Sequence, residues 1–299
     1  MVILDPVKID DFESSWIFSK IEEDKASHKK IWLNFGLSAN PVHLGHLTYL
    51  SEIADKIEAD IVSLIPSKHN PFKQGISQGT VEQKKEMMKA ALVTYKCLSH
   101  SDAETFVDEQ ELNRQTPYSF TWETVQNISK KALEKNATIY LLLTDESAKD
   151  FYCWKEPLYI VRHATLIYGK RPGAHFDQAM LVDELRKIDM VARKLGIQEI
   201  ATSDELSKMV EEGIIQDVEI EVEGMNGEKI KKIIAARKIR CIHPEVVEAI
   251  ERGYVPLTGK INVSSSEIRL NIQSGVDVTH QVGEKIAAVI QKHGLYLRR

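Results

Sequence analysis

The sequence predicts an α/β fold: an open parallel sheet with helices on both faces, an inserted α+β segment and an N-terminal helical extension. Three observations carry this expectation. Short apolar, β-branched runs alternate with stretches of helical period from residue 29 to residue 169. Residues 174–258 interrupt that alternation with charged helical stretches and one alternating apolar–polar run. Residues 10–27 stand before the first strand as one amphipathic stretch.

The elements follow in order. Asp10 or Asp11 can cap a helix over 10–27, with Phe12, Trp16, Ile17 and Ile21 at helical spacing, which reads as a packing arm. The run 29–37 is a buried strand bounded by Ser-Ala-Asn-Pro. A helix over 45–60 and a second buried strand over 59–66 complete a parallel pair with a right-handed crossover. Helices are expected over 81–96, 119–135 and 146–154, and strands within 104–112 and over 137–144 and 163–169. Gly36, Pro66, Thr144 and Gly169 fall near the carboxyl edge, where open sheets of this kind bind ligands.

Beyond residue 174, helices are expected over 177–195, 203–212 and 244–252, with a hairpin around Met225-Asn226-Gly227. Ile214, Ile215, Val218, Ile220, Val222, Ile230, Ile233 and Ile234 suggest a small core belonging to this segment alone. A helix over 282–294 closes the chain. The expected organisation is 1–28, N-terminal extension; 29–173, core; 174–258, inserted peripheral subdomain; 259–299, return to the core.

Composition narrows the classes of function. With 43% apolar and 28% charged residues and a net charge of −5, the chain has the make-up of an ordinary globular protein. The mild acidity disfavours a nucleic-acid partner. No apolar run approaches the ~18 residues that a membrane span needs, so no membrane partner is expected. The acidic start lacks the pattern of a signal peptide. Cys97, Cys153 and Cys241 are widely separated, so a reducing cytoplasm is the default and no metal site is expected. A homo-oligomer is compatible with all of this.

Two motifs carry chemistry. His43-Leu44-Gly45-His46 lies on the turn from the first strand into its helix. A helix N-terminus offers unpaired N–H groups and partial positive charge, so it suits anions. Gly45 removes a side chain where a nucleotide could press close. Two satisfied polar residues are the plainer reading of the pair, and a metal pair lacks a third ligand nearby. Far downstream, Ser264-Ser265-Ser266-Glu267-Ile268-Arg269 places hydroxyls and a guanidinium at a second helix start. Ser264 with Glu267 also reads as a capping box alone.

A strand, a loop ending in HxGH and a distant SSSxIR together resemble the nucleotidyltransferase superfamily, with its (T/H)xGH and ISSTxIR motifs. Within it the chain is similar to the nicotinate or nicotinamide mononucleotide adenylyltransferase family. Asn70-Pro71-Phe72-Lys73 resembles that family's NPxK loop, and Glu111 to Arg114 followed by Ser119 to Val125 resembles its ElxR…SYTxxTL segment. Arg171-Pro172-Gly173 resembles its RPG, Trp154-Lys155 its tryptophan after the fourth strand, and Lys292 to Tyr296 its HGLY ending. The resemblance covers about 30–173 and 261–299. Leu37 replaces the second glycine of the family's GGTFDPxH and would crowd a phosphate on that loop. Asn40 replaces its aspartate, and GxD reads Leu143-Thr144-Asp145.

The resemblance implies a Rossmann-like core and adenylyl transfer from ATP, with Mg2+, to a pyridine mononucleotide in NAD biosynthesis. It implies His43 and His46 as catalytic residues on the α-phosphate. Gly36, Ser38, Gly45, Ser265, Ser266, Arg269 and Asp145 would bind ATP, Ser265, Ser266 and Arg269 on its β- and γ-phosphates. Asn40, Lys73, Thr121 and Trp154 would bind the mononucleotide, Trp154 by packing on the pyridine ring or else as a core residue. The alternatives are another phosphorylated acceptor such as phosphopantetheine or a cytidylyl acceptor, a non-catalytic nucleotide-binding relative, and an interaction protein centred on 174–258.

Overall fold

The computed structural model describes residues 16–68, 79–116, 118–169, 176–198, 203–224, 227–257 and 263–297. Five parallel strands form one sheet in the order β3-β2-β1-β4-β5. They are β1 (Lys30–Leu37), β2 (Ile61–Pro66), β3 (Glu104–Val107), β4 (Ala137–Thr144) and β5 (Thr165–Gly169). The chain leaves β1 for β2 on one side, while β4 lies on the other. The carboxyl ends of β1 and β4 are therefore the point at which strand order reverses, and a crevice is expected there.

Strand alternation divides the core. Ile31, Leu33, Phe35 and Leu37 face one side, where they meet α1 (Trp16–Ala26), α2 (Leu44–Lys56), α3 (Val81–Leu98), α10 (Ser265–Gln273) and α12 (Glu284–Lys292). Trp32, Ile61, Ile65, Ile139 and Leu141 face the other, against α4 (Thr121–Lys135), α6 (Pro157–His163), α7 (Gln178–Lys194) and α9 (Pro244–Arg252). One polar knot sits inside the sheet. Ser63 Oγ donates to Asn34 Oδ1 at 2.7 Å, Trp32 Nε1 donates to Ser63 Oγ at 3.3 Å, and Asn34 Nδ2 donates to the Trp32 carbonyl at 2.9 Å. These partners make Asn34 tolerable in a strand buried on both faces.

The N-terminal helix is part of the core. Ile17 and Ile21 are fully buried, and the buried carboxylate of Asp24 accepts from Tyr140 Oη of β4 at 2.8 Å and from Lys20 Nζ at 2.6 Å. Residues 10–15 of the expected helix lie outside the described residues. The expected strand within 104–112 stops at Val107, because Asp108 turns the chain by accepting from the Gln110 N–H at 3.0 Å. The helix expected over 146–154 is α5 (Asp145–Asp150) followed by a 3-10 turn, Phe151–Cys153. Helix α6 has no counterpart in the periodicity, since its seven residues are too few to show one. The C-terminal helix is broken into α11 (Thr279–Val282) and α12 at Gly283, whose φ of +86° places it where a side chain is strained.

The inserted segment departs furthest from expectation. Its antiparallel hairpin, β6 (Val218–Glu223) with β7 (Lys229–Ile234), forms with Val218 opposite Ile234. Met225 and Asn226 of its turn lie outside the described residues. Among the described residues the segment has no separate core. Leu181, Leu185, Ile188, Ile220, Val222 and Ile250 belong to the same apolar cluster as the second face of the sheet, while Ile214 and Ile233 are exposed. Helix α8 (Ser203–Glu211) joins α7 to the hairpin. At its end the chain runs beside β5: Tyr168 N–H donates to the Gly253 carbonyl at 2.9 Å and Val255 N–H to the Tyr168 carbonyl at 2.8 Å. Replacing 176–256 by a short Gly/Ser linker uncovers this face, so the shortened protein is expected to lose its cooperative thermal melt. A melt as sharp as that of the full chain would show that the sheet does not need this cover.

Candidate active site

Two helix starts meet at the carboxyl end of β1. His43 is the N-cap of α2, with extended backbone (φ −146°, ψ 169°), and its Nδ1 accepts from the His46 N–H at 3.3 Å. With Nδ1 accepting, the neutral imidazole carries its proton on Nε2. The His43 and His46 rings stack with centroids 3.7 Å apart. Together they present ring nitrogens beside the first free N–H groups of a helix.

Helix α10 brings the distant serine motif to the same place. Ser264 caps it, accepting from the Glu267 N–H at 3.1 Å. Ser265 Oγ donates to the Pro41 carbonyl at 3.0 Å, and Arg269 Nη1 donates to the Asn40 carbonyl at 2.6 Å. Arg269 Nη2 donates to Ser266 Oγ at 3.0 Å. These contacts bind α10 directly to the 38–43 loop, so the guanidinium fixes the backbone that delivers His43. Burial raises the Tyr296 hydroxyl above its usual range, and the neighbouring Arg269 charge offsets part of that. Tyr296 of the C-terminal tail is thus a neighbour of Arg269, while His293 pairs with Glu86 of α3.

The 36–40 stretch answers the question raised by Leu37. Its side chain lies in the core at 7% exposure, one strand position out of phase with exposed Gly36, beside which a Cβ would find open space. The expected crowding does not arise, because the pleat turns Leu37 inward. Ser38 is half-buried. Asn40 is 5% exposed, and its Oδ1 has no hydrogen-bond partner among the described residues. An orphaned acceptor of this kind costs about 1–3 kcal/mol unless a ligand or water satisfies it.

On the β4 side, Thr144 caps α5 by accepting from the Ser147 N–H at 3.2 Å, and Asp145 is buried in its first turn. Tyr49, missed from sequence, bridges β4 and β5: its hydroxyl donates to the Leu143 carbonyl at 2.6 Å and accepts from the Gly169 N–H at 2.7 Å. Thr121 opens α4. Lys155 Nζ lies 4.9 Å over the Phe120 ring and 5.9 Å from Trp122, beside that helix start. Trp154 packs on Phe151 with centroids 5.2 Å apart, so at least one face of its ring belongs to the core. Lys73, with the rest of 70–73, and residues 171–173 lie outside the described residues.

Lys84 is a buried charge that sequence reasoning passed over. It is 3% exposed, and burial lowers its ammonium from 10.5 to about 8, against an opposing pull from Glu111. Between those values the unfolded chain holds a proton that the folded chain has released, so stability rises with pH. Relative to Lys84→Met, the wild-type protein is expected to gain on the order of 3 kcal/mol from pH 7 to 11, read from urea unfolding. A difference that stays flat over that range would contradict the burial argument.

Comparison with known proteins is consistent with this geometry. The family model described as Cytidylyltransferase-like matches residues 35–271, well over half of the chain. A "Probable nicotinate-nucleotide adenylyltransferase" of Chromobacterium violaceum is 30% identical over 151 residues, covering 50% of this chain and 66% of that relative. One from Dictyoglomus thermophilum is 29% identical over 136 residues, 46% of this chain and 64% of the relative. The matched stretch thus spans just under two thirds of each. One from Pseudomonas putida is 26% identical over 215 residues, 72% of this chain and 89% of its own length. A solved structure of Plasmodium falciparum nicotinic acid mononucleotide adenylyltransferase complexed with APC covers 89% of this chain and 97% of its own. At a TM-score of 0.52 and 15% identity it shows a shared fold.

Proposed function

The chain belongs to the cytidylyltransferase-like family, and on that premise we propose that it transfers the adenylyl group of ATP to nicotinate mononucleotide. The products are the dinucleotide and pyrophosphate, a step of NAD biosynthesis. The observation that carries this reading is the joining of two helix starts at the strand-order reversal, one bearing His43 and His46, the other Ser265, Ser266 and Arg269. The names of the relatives support the choice of acceptor.

The acceptor phosphate is already anionic at neutral pH, so the reaction needs neither a serine nucleophile nor a strong base. Its oxygen forms a bond to the α-phosphorus while the bond to the β-phosphate bridging oxygen breaks and its electron pair leaves with pyrophosphate. The site must hold the two phosphates in line and stabilise charge. His43, donating from Nε2, and His46 take the α-phosphate oxygens. Ser265, Ser266 and Arg269 take the β- and γ-phosphates, with Gly36, Ser38 and Gly45 leaving room. Asp145, buried in the first turn of α5, is assigned to the adenosine. On this reading Thr121 and Trp154 serve the mononucleotide, as does Lys73, which lies outside the described residues.

The orphaned Asn40 Oδ1, placed from sequence with the mononucleotide, also suits magnesium, a hard cation that prefers oxygen donors and keeps much of its water. Asn40 would hold the ion or one of its waters. When bound, the ion neutralises charge on the β- and γ-phosphates.

Pyrophosphate release from ATP, followed with a panel of phosphorylated acceptors, tests the proposal. Release with nicotinate mononucleotide well above that with phosphopantetheine or cytidylyl acceptors supports it, and release only with another acceptor replaces it. The acid is expected to exceed the amide mononucleotide in kcat/KM, because a carboxylate gains from the positive end of α4 what a neutral amide does not. A ratio at or below one overturns the acid preference while leaving the transfer chemistry in place.

A further inference from the structure

We propose that Lys84 is a positioning residue for the acceptor half of the site, tying the exit of β2 to a polar network that sets the N-terminus of α4. The inference rests on the function proposed above for the part that concerns the acceptor.

Lys84 lies on α3, whose neighbouring inward residues Met87, Met88 and Ala91 are apolar core. An ammonium in such surroundings persists only with partners. Its Nζ donates to the Ser67 carbonyl at 2.9 Å and to the Lys68 carbonyl at 2.8 Å, where the chain leaves β2. From there the links continue. The Lys68 N–H donates to Ser119 Oγ at 2.9 Å, and Lys68 Nζ to the Arg114 carbonyl at 2.6 Å. Arg114 Nη1 donates to the Phe120 carbonyl at 3.1 Å and pairs with Glu123 at 3.0 Å, and Nη2 donates to Thr124 Oγ1 at 2.8 Å. Thr124 Oγ1 donates in turn to buried Glu111 at 2.6 Å.

Phe120 caps α4 without a side-chain hydrogen bond, so this network does the orienting that a capping side chain would otherwise do. The ATP half is held differently, through Ser265 to Pro41 and Arg269 to Asn40. Loosening Lys84 should therefore disturb one substrate and spare the other.

The test uses the full chain carrying Lys84→Met, with Lys84→Arg as the conservative variant and Arg114→Lys as a second break in the same network. In Lys84→Met the KM for nicotinate mononucleotide is expected to rise on the order of tenfold, with kcat and the KM for ATP within about twofold of wild type. Lys84→Arg should recover most of the loss, and Arg114→Lys should repeat the split. Hydrogen exchange is read alongside: amides of 119–125 should exchange faster in Lys84→Met, and those of 264–272 should not. An equal rise in both KM values, or unchanged exchange at 119–125, overturns the positioning role. Absence of transfer by the wild-type protein overturns the proposed function instead, and the exchange result still decides the positioning role.

Discussion

Replacing His43 or His46 by alanine is expected to lower kcat by on the order of 10²-fold or more, with modest effects on either KM. The two rings stand at the first turn of α2, and His43 Nδ1 is occupied by the His46 N–H, which leaves Nε2 as the nitrogen able to donate. A donor fixed in this way gains most when charge on the α-phosphate oxygens is greatest, in the transition state. The stacked arrangement also makes the pair interdependent. The double variant should therefore lose less than the product of the single losses. Wild-type kcat in either single variant would remove that residue from the chemistry.

Arg269→Ala is expected to be nearly as damaging, and for two reasons where the sequence gives one. From the motif alone, the guanidinium grips the leaving phosphates, and mainly the KM for ATP should rise, with that for the mononucleotide nearly unchanged. In the structure Arg269 also holds the Asn40 carbonyl at 2.6 Å, and so the loop that ends at His43. Alanine leaves that carbonyl without its donor and frees the loop. Both terms predict a fall in kcat/KM for ATP on the order of 10²- to 10³-fold, with kcat itself lowered about tenfold. The KM for the mononucleotide should change less than about threefold. Lysine should rescue little, because one ammonium cannot serve Asn40 and Ser266 as the planar fork does. Unchanged kcat would show that the loop keeps its place without Arg269.

The strands and the main helices of the core were legible because each carries a periodic signal over enough residues. β1, β2 and β4 are nearly continuous apolar runs, broken inside the sheet by the paired Asn34 and Ser63, as strands buried on both faces tend to be. The histidine and serine motifs could be recognised, but their meeting could not. The contact of Ser265 with Pro41 spans 224 positions, and no local pattern encodes it. Leu37 was misread because a motif comparison aligns letters, whereas the pleat decides which way a side chain points. The inserted segment was misread because its apolar residues were counted without knowing that the second sheet face needed cover. Lys84 gave no signal, since a lysine among Lys85, Glu86 and Lys89 on a helix reads as solvent-facing.

The central claim is that residues 38–46 and 264–269 form one site in which an acceptor phosphate displaces pyrophosphate from ATP. ATP labelled at the α-phosphorus, incubated with the protein, magnesium and nicotinate mononucleotide, tests it most directly. The label is expected to appear in the dinucleotide, one equivalent for each pyrophosphate released, and His43→Ala should slow that appearance on the order of 10²-fold or more. Label recovered as AMP, or ATP left intact while the protein remains folded and binds nucleotide, would contradict it.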